Sequence, residues 1–245
     1  MLTMDQAICI RALDFSETSQ IVTFFTRAAG KISAIAKGSK RPKSAFDGPV
    51  EIFSHGSIVF TATKGEKLAV LTEFEQQSDL ADLAKNLFTL NCCLFAAELI
   101  DCLTDQGDPH PELFDSFLKF LQNSRVYEEK AHSLKLLILF QLTLLKEVGL
   151  MPNLNACVNC KTSFSAAWPM SWFSSSANGL VCSDCQDSFP DRIKLTKNAA
   201  GCLANLKMIT KADEKTLNEI EKALISHFTE TLGKRLKMAK YVLKG

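Results

Sequence analysis

No stretch of the 245 residues is long and apolar enough to span a bilayer comfortably; the most apolar, Leu134 to Leu150, is interrupted by Lys135, Gln141, Lys146 and Glu147. The first residues show no basic region leading into an apolar run and a small-residue cleavage site, so no secretion signal is expected and the protein is placed in the cytosol. Net charge is nearly absent as well. With 28 Lys and Arg against 27 Asp and Glu the formal charge is +1, which excludes a globally basic nucleic-acid coat and leaves any polyanion affinity to local patches. There is no phosphate-cradling Gly-x-x-x-x-Gly-Lys loop, no Gly-x-Ser-x-Gly elbow and no His-Glu-x-x-His helix. Of the four histidines, His55, His132 and His227 stand alone and read as turn or helix-surface residues. Enzymatic chemistry has no visible apparatus, and the expectation is a protein that is not an enzyme. Internal repeats and low-complexity segments are missing too. What remains, at this length and 47% apolar residues, is a folded chain of two ordinary domains.

The first 75 residues read as about six short strands. Ala7 to Leu13 alternates, with Ile8, Ile10 and Ala12 on one face and Arg11 on the other. Gln20 to Arg27 and Lys31 to Lys37 form a hairpin whose connection ends in Gly30. Ile32, Ala34 and Ala36 share one face of its second strand, which leaves Lys31, Ser33, Ile35 and Lys37 on the other. Lys37 to Lys43 holds four cations in seven residues and no acid, and Gly38 with Pro42 rules out a regular helix there. Val50 to Ser54, Ser57 to Thr63 and Leu68 to Phe74 complete the set. Short antiparallel strands with glycine-marked turns predict a small barrel over residues 1–76, and the oligonucleotide-binding barrel is one fold of that size.

From Ser78 the apolar period turns helical, through Leu80, Leu83, Leu87, Leu90 and Leu94 to about Leu103. A second helix carries Leu113, Phe114, Phe117, Leu118 and Leu121; a third, Leu134 to Val148, is apolar nearly all round and therefore central. Helical pattern returns at about Lys197 to Ile209 and at about Glu214 to Leu243, the last helix bearing Lys234, Arg235, Lys237 and Lys240 near its end. Cations there complement a helix dipole. The predicted class is α+β multidomain: a barrel, then a helical domain over 77–245, with a distinct unit rich in Ser, Asn and Cys at 153–194.

That unit contains Cys157-x-x-Cys160 and Cys182-x-x-Cys185. Two such pairs let four thiolates converge tetrahedrally on a zinc ion, and four protein ligands leave no open position, so the metal is structural. Nine cysteines, an odd number, in a chain without a secretion signal favour thiols and metal ligands over a disulfide framework. The alternative, two buried or redox-active pairs, lacks the βαβ setting of a thioredoxin-like site. Cys9, Cys92, Cys93, Cys102 and Cys202 lie on strand or helix patterns as small apolar residues. His110-Pro111-Glu112 ahead of a cysteine pair looks superficially like a zinc deaminase signature. Cys157 follows Ala156 rather than Pro, however, and the second pair already completes the site.

Taken together these residues resemble the bacterial RecO family of recombination mediators. The likeness runs through Ser16-Glu17-Thr18, Thr26-Arg27, Gly30-Lys31 and Ala36-Lys37-Gly38 to Arg41-Pro42-Lys43-Ser44. It resumes from Leu142 through Gly149-Leu150-Met151-Pro152-Asn153-Leu154 into the first cysteine pair, then Asn178-Gly179-Leu180-Val181 into the second, with a weaker match at Leu232 to Lys237. Lys161 stands where many relatives have glycine. The resemblance implies an N-terminal oligonucleotide-binding barrel and a helical domain with an inserted zinc module. It also implies binding of single- and double-stranded DNA, annealing of complementary strands, and loading of RecA with RecR onto strands coated by single-strand-binding protein, in the pathway that includes RecF. The location implied is the cytoplasm, at the nucleoid.

Lys37, Lys40, Arg41 and Lys43 are then the expected DNA contacts, with Arg27 and Lys31 flanking the hairpin turn and Arg11 as a further candidate on their face. The bland alternative is a solvated loop whose charges protect a strand edge. Phe24 shares Val22's face and is expected in the core, which leaves Phe25 to stack on a base. Lys234, Arg235 and Lys237 are candidates for DNA or for the acidic, apolar tail of single-strand-binding protein. The competing reading is a zinc-stabilised protein–protein adaptor whose barrel does not touch DNA.

Overall fold

Alternating apolar residues give the first strands their inward face, and the computed structural model shows how that face closes. It describes residues 2–41, 44, 46, 48–61, 68–78, 83, 85–126 and 129–243. Five strands, β1 (Leu2–Asp14), β2 (Gln20–Thr26), β3 (Gly30–Ala36), β4 (His55–Thr61) and β5 (Ala69–Ser78), form a closed barrel in the order β1-β2-β3-β5-β4. β1 is long enough to serve two neighbours. Its first half pairs with β4, from Leu2 opposite Thr61 to Ile8 opposite His55, and its second half with β2, from Ala7 opposite Thr26 to Asp14 opposite Gln20. An irregularity between Cys9 and Arg11 turns the strand from one partner to the other. All pairs are antiparallel except β3 with β5, Ala34 to Ala36 against Ala69 to Leu71. Ala7, Cys9, Val22, Phe24, Ile32, Ala34 and Ala36 fill the interior with Ile58, Phe60, Leu71 and Phe74.

The strand expected at Val50 to Ser54 is absent. Phe53 sits at φ +67 and the Ser54 N–H closes a turn onto the Glu51 carbonyl, a backbone that no regular strand adopts. Two hydrogen bonds, from Phe53 N–H to the Cys9 carbonyl and from Cys9 N–H to the Ser54 carbonyl, fasten this turn to β1.

Three helices follow: α1 (Leu87–Leu103), α2 (Pro111–Ser124) and α3 (Lys130–Glu147). The chain resolves into two compact units, Met1–Lys85 with Ala97–Arg125, and Asn86–Ala96 with Val126–Gly245. In the first, α2 buries Leu113, Phe114, Phe117, Phe120 and Leu121. In the second, β6 (Ser171–Ser174), β7 (Gly179–Cys182) and β8 (Ile193–Leu195) make an antiparallel sheet ordered β7-β6-β8. α4 (Lys197–Ala204), α5 (Glu214–Leu232) and α6 (Ala239–Leu243) complete it, with α3 packed against α5.

Two helical expectations change. The helix expected over 197–209 breaks at Asn205, whose side chain accepts the Lys207 N–H and starts a separate 3-10 helix, Leu206–Lys211. The long last helix ends at Leu232, where Gly233 takes φ +61. Left-handed backbone suits glycine and terminates a helix. Lys234, Arg235 and Lys237 therefore lie in the connection between α5 and α6, not in a final helical turn. His227 is not a surface residue either: it is buried on α5 against the Phe173 ring, centroids 5.5 Å apart. His55 is half-buried beside Phe114. Leu80 lies outside the described residues.

Candidate metal centre and nucleic-acid surface

The Cys157, Cys160, Cys182 and Cys185 sulfurs all lie within 4.8 Å of one another. The Cys160 and Cys182 sulfurs are 3.7 Å apart, close to the edge of about 3.8 Å that a tetrahedron with Zn–S of about 2.3 Å requires. Each pair wraps from a tight turn. The first is closed by Lys161 N–H to the Cys157 carbonyl and Cys157 N–H to the Thr162 carbonyl, the second by Cys185 N–H to the Cys182 carbonyl. The first turn holds Lys161 at φ +63, which explains why glycine suits that position. N–H groups converge on the sulfurs: the Asn159 amide donates to Cys185 at 3.3 Å and the Cys182 backbone to Cys157 at 3.5 Å. Such donors orient ligands and stabilise thiolates. The Thr162 hydroxyl at the Cys160 sulfur lowers that thiol's pKa to about 6, while burial pushes Cys182 up to about 12. Trp168, Trp172 and Val181 pack around the thiols as a small core of their own. Four convergent sulfurs fit a soft, tetrahedral metal ion. His110 takes no part: it precedes Pro111 at the start of α2 and its Nε2 faces Asp108 at 3.2 Å.

The cations of the barrel are not equivalent. Gln20, buried at the start of β2, organises the loop after β3: its Oε1 accepts the Ser39 hydroxyl and the Val50 N–H, and its Nε2 donates to the Val50 carbonyl. With Ser39 pinned inside, Lys37 and Arg41 are exposed, and neither has an ion pair among the described residues. Lys40 reaches Asp14 at 2.7 Å, and Lys43 lies outside the described residues. Arg11 is exposed on β1.

Arg27 and Lys31 are engaged within their own unit. The Arg27 guanidinium makes a bidentate pair with Asp115 of α2, at 2.9 and 2.8 Å, which holds that carboxyl below its usual range. Lys31 is buried, its Nζ donating to the Asp101 backbone carbonyl and, at 3.1 Å, to the Asp101 carboxylate. Its charge does not point to solvent. Phe24 is in the barrel core as expected, 5.7 Å from Phe74. Phe25 is on the opposite face but is fully buried, 6.1 Å from the Phe114 ring of α2. A base cannot stack on it. Lys234, Arg235 and Lys237 are exposed. Sequence reasoning missed the counter-charges Asp14, Asp101 and Asp115 and the organiser Gln20, none of which has a local signature.

No helix among the described residues is long and apolar enough to cross a membrane. Two family models match in order, "Recombination protein O N terminal" over residues 1–78 and "Recombination protein O C terminal" over residues 84–239. Curated relatives agree. The chain is 34% identical over 182 residues to "DNA repair protein RecO" of Rhodopirellula baltica, covering 74% of this chain and 66% of that one. It is 29% identical over 249 residues to the Bacillus subtilis protein of the same name, covering 99% and 94%, and 30% identical over 240 residues to that of Alkaliphilus metalliredigens, covering 97% and 92%. With the two models together covering residues 1–78 and 84–239 and these relatives along nearly the whole chain, the chain belongs to the RecO family of DNA repair proteins.

Proposed function

We propose that this chain is a recombination mediator that binds single- and double-stranded DNA on the barrel around Lys37, Lys40, Arg41 and Lys43, with Arg11 nearby, and anneals complementary strands without covalent chemistry. With RecR it loads RecA onto strands coated by single-strand-binding protein, in the pathway that includes RecF. A structural zinc ion is held by Cys157, Cys160, Cys182 and Cys185. The reading divides the chain into a barrel domain over 1–76 and a helical domain over 77–245 carrying a zinc module at 153–194. Lys234, Arg235 and Lys237 serve the acidic tail of single-strand-binding protein.

The observation that carries the DNA site is the anchored loop: Gln20 and Ser39 fix its base, and Lys37 and Arg41 project without an ion pair among the described residues. Cations placed this way neutralise phosphates and release counterions, bringing two repelling strands together without reading sequence. Lys40 joins them by exchanging Asp14 for a phosphate. An exposed ion pair is worth about 0–1 kcal/mol, so the exchange is inexpensive. Arg27 can do the same with Asp115.

A salt titration of fluorescent single-stranded DNA binding tests this. Each single-strand contact contributes about 0.7 to the log–log slope, so Lys37→Ala with Arg41→Ala should flatten it by about 1.4 and weaken annealing in parallel. An unchanged slope in a folded variant refutes the site. No DNA binding by the native chain leaves the protein–protein adaptor.

A further inference from the structure

Two clefts adjoin in the second unit, and neither belongs to the barrel. The larger, about 590 Å³, lies between the thiol module and α4, within the range of about 300–1,000 Å³ typical of ligand sites. Its apolar lining includes Phe164 and Trp168, edge to face at 5.3 Å, and Met208. Its polar lining combines the amides of Asn155, Asn198 and Asn205 with Ser165, Ser171 and Lys197. The second cleft, about 430 Å³, is lined by Pro169, Met170, Lys194 and Lys222 among others. Lys197 borders both. It opens α4, where the positive end of the helix dipole adds to its charge.

The charge around the clefts is predominantly positive, three lysines against one carboxylate. Lys194, Lys197 and Lys222 have no ion pair among the described residues. The one carboxylate in the two linings, Glu219, is already occupied by Thr196, which donates its backbone N–H to one oxygen and its hydroxyl, at 2.9 Å, to the other. An aromatic wall flanked by amides suits a planar ring that carries both donors and acceptors, because an amide offers one of each to any base edge. The lysines between the clefts suit a phosphate.

The geometry points to a second nucleic-acid contact: an unpaired base of a single strand seats against Phe164 and Met208, and its backbone crosses Lys197 toward Lys194 and Lys222. This rests on the DNA-binding reading above and extends it. Two separate strand contacts on one chain give annealing a physical basis, since a base splayed from its strand is unstacked and free to pair anew. Stacking platforms of this kind tolerate any base because every base has a π-face.

Of the chain's two tryptophans, both in the thiol module, Trp168 lines the larger cleft, so quenching of its emission reports on that cleft. The test titrates a thymidine oligonucleotide into the zinc-loaded full chain, reading anisotropy of the labelled DNA and tryptophan emission together. Native protein should show saturable quenching that tracks binding. Lys37→Ala with Arg41→Ala should weaken binding yet keep the quench at saturation. Lys197→Glu with Met208→Ala, both solvent-facing changes, should abolish the quench and weaken binding roughly tenfold or more, with zinc content and melting temperature unchanged. Lys197→Arg should retain both. DNA that binds by anisotropy with no quench, and with affinity indifferent to the cleft variant, overturns this inference and leaves the barrel site standing. Quenching by an acidic, apolar peptide and not by DNA also overturns it, making the cleft a protein-docking site. No DNA binding at all removes both readings.

Discussion

Lys161 shows how one side chain can sit against its own backbone. At φ +63 it occupies the left-handed region, which costs a residue with a Cβ about 1–2 kcal/mol, and it does so because the turn must return Thr162 to Cys157. Its Nζ recovers a little by donating to the Val158 carbonyl in solvent. Replacing Lys161 with Gly should stabilise the thiol module by about 0.5–1 kcal/mol, the relief being partly offset by greater freedom of the unfolded chain. Denaturant unfolding followed by tryptophan emission at fixed zinc would show it. Lys161→Ala is the control, since it keeps the Cβ and should gain nothing; equal gains from both would point to charge rather than strain. Single residues also mark where sequence stopped being legible. Alternation correctly sent Phe24 inward and Phe25 outward, yet cannot say that α2 covers the outer face at Phe25. Arg27 and Lys31 read as free cations because their partners, Asp115 and Asp101, stand 88 and 70 residues away. The four cysteines were legible because metal spacing is local to each pair.

Between α3 and α5 the packing encloses an acid. Glu221 is wholly buried, accepting the Gln141 amide at 2.8 Å through Oε1, while its Oε2 and the Gln141 Oε1 have no partner among the described residues. Burial lifts its pKa to about 8, with the Gln141 hydrogen bond pulling the other way, and its charge when present also raises the buried Cys92. Unfolded, the carboxyl titrates near 4.5. Between those values the folded state holds the proton that the unfolded state has lost, so stability falls as pH rises from about 4.5 to 8, by at most about 1.4 kcal/mol per unit from this group. Glu221→Gln removes the group. Its stability advantage over the native chain, measured in urea at several pH values, should grow across that window and level off above it. A difference independent of pH would mean the carboxyl is already ionised in the fold. The helices themselves were largely readable from their apolar period, and the break at Gly233 shows why one was not. Leu236, Ala239 and Val242 are buried at three-residue spacing beyond it, so the pattern runs on through a point where the backbone turns.

The barrel and the thiol module carry separate hydrophobic clusters, and this sets what removal of metal should do. The barrel interior is built entirely from residues between Ala7 and Phe74. The cluster around the thiols holds only Trp168, Trp172, Val181 and three of the thiols, with Val158, Phe164, Met170 and Phe189 partly covering it. So few apolar groups cannot offset the conformational entropy of some 40 ordered residues, at roughly 1–2 kcal/mol each. A structural zinc ion contributes about 10–16 kcal/mol in small metal-folded peptides, enough to decide whether such a module is folded. A strong zinc chelator should therefore red-shift the emission of Trp168 and Trp172, which are 8% and 7% exposed, as their surroundings open to water. Hydrogen exchange should accelerate from Asn153 to Leu195 while β1, β2 and β3 keep their protection. Changing all four cysteines to Ser should reproduce the chelated state. If the barrel lost protection in step with the module, the chain would be one cooperative unit. If the tryptophan emission did not move, the four thiols would hold their geometry without a metal and the site would be a packed cluster of cysteines.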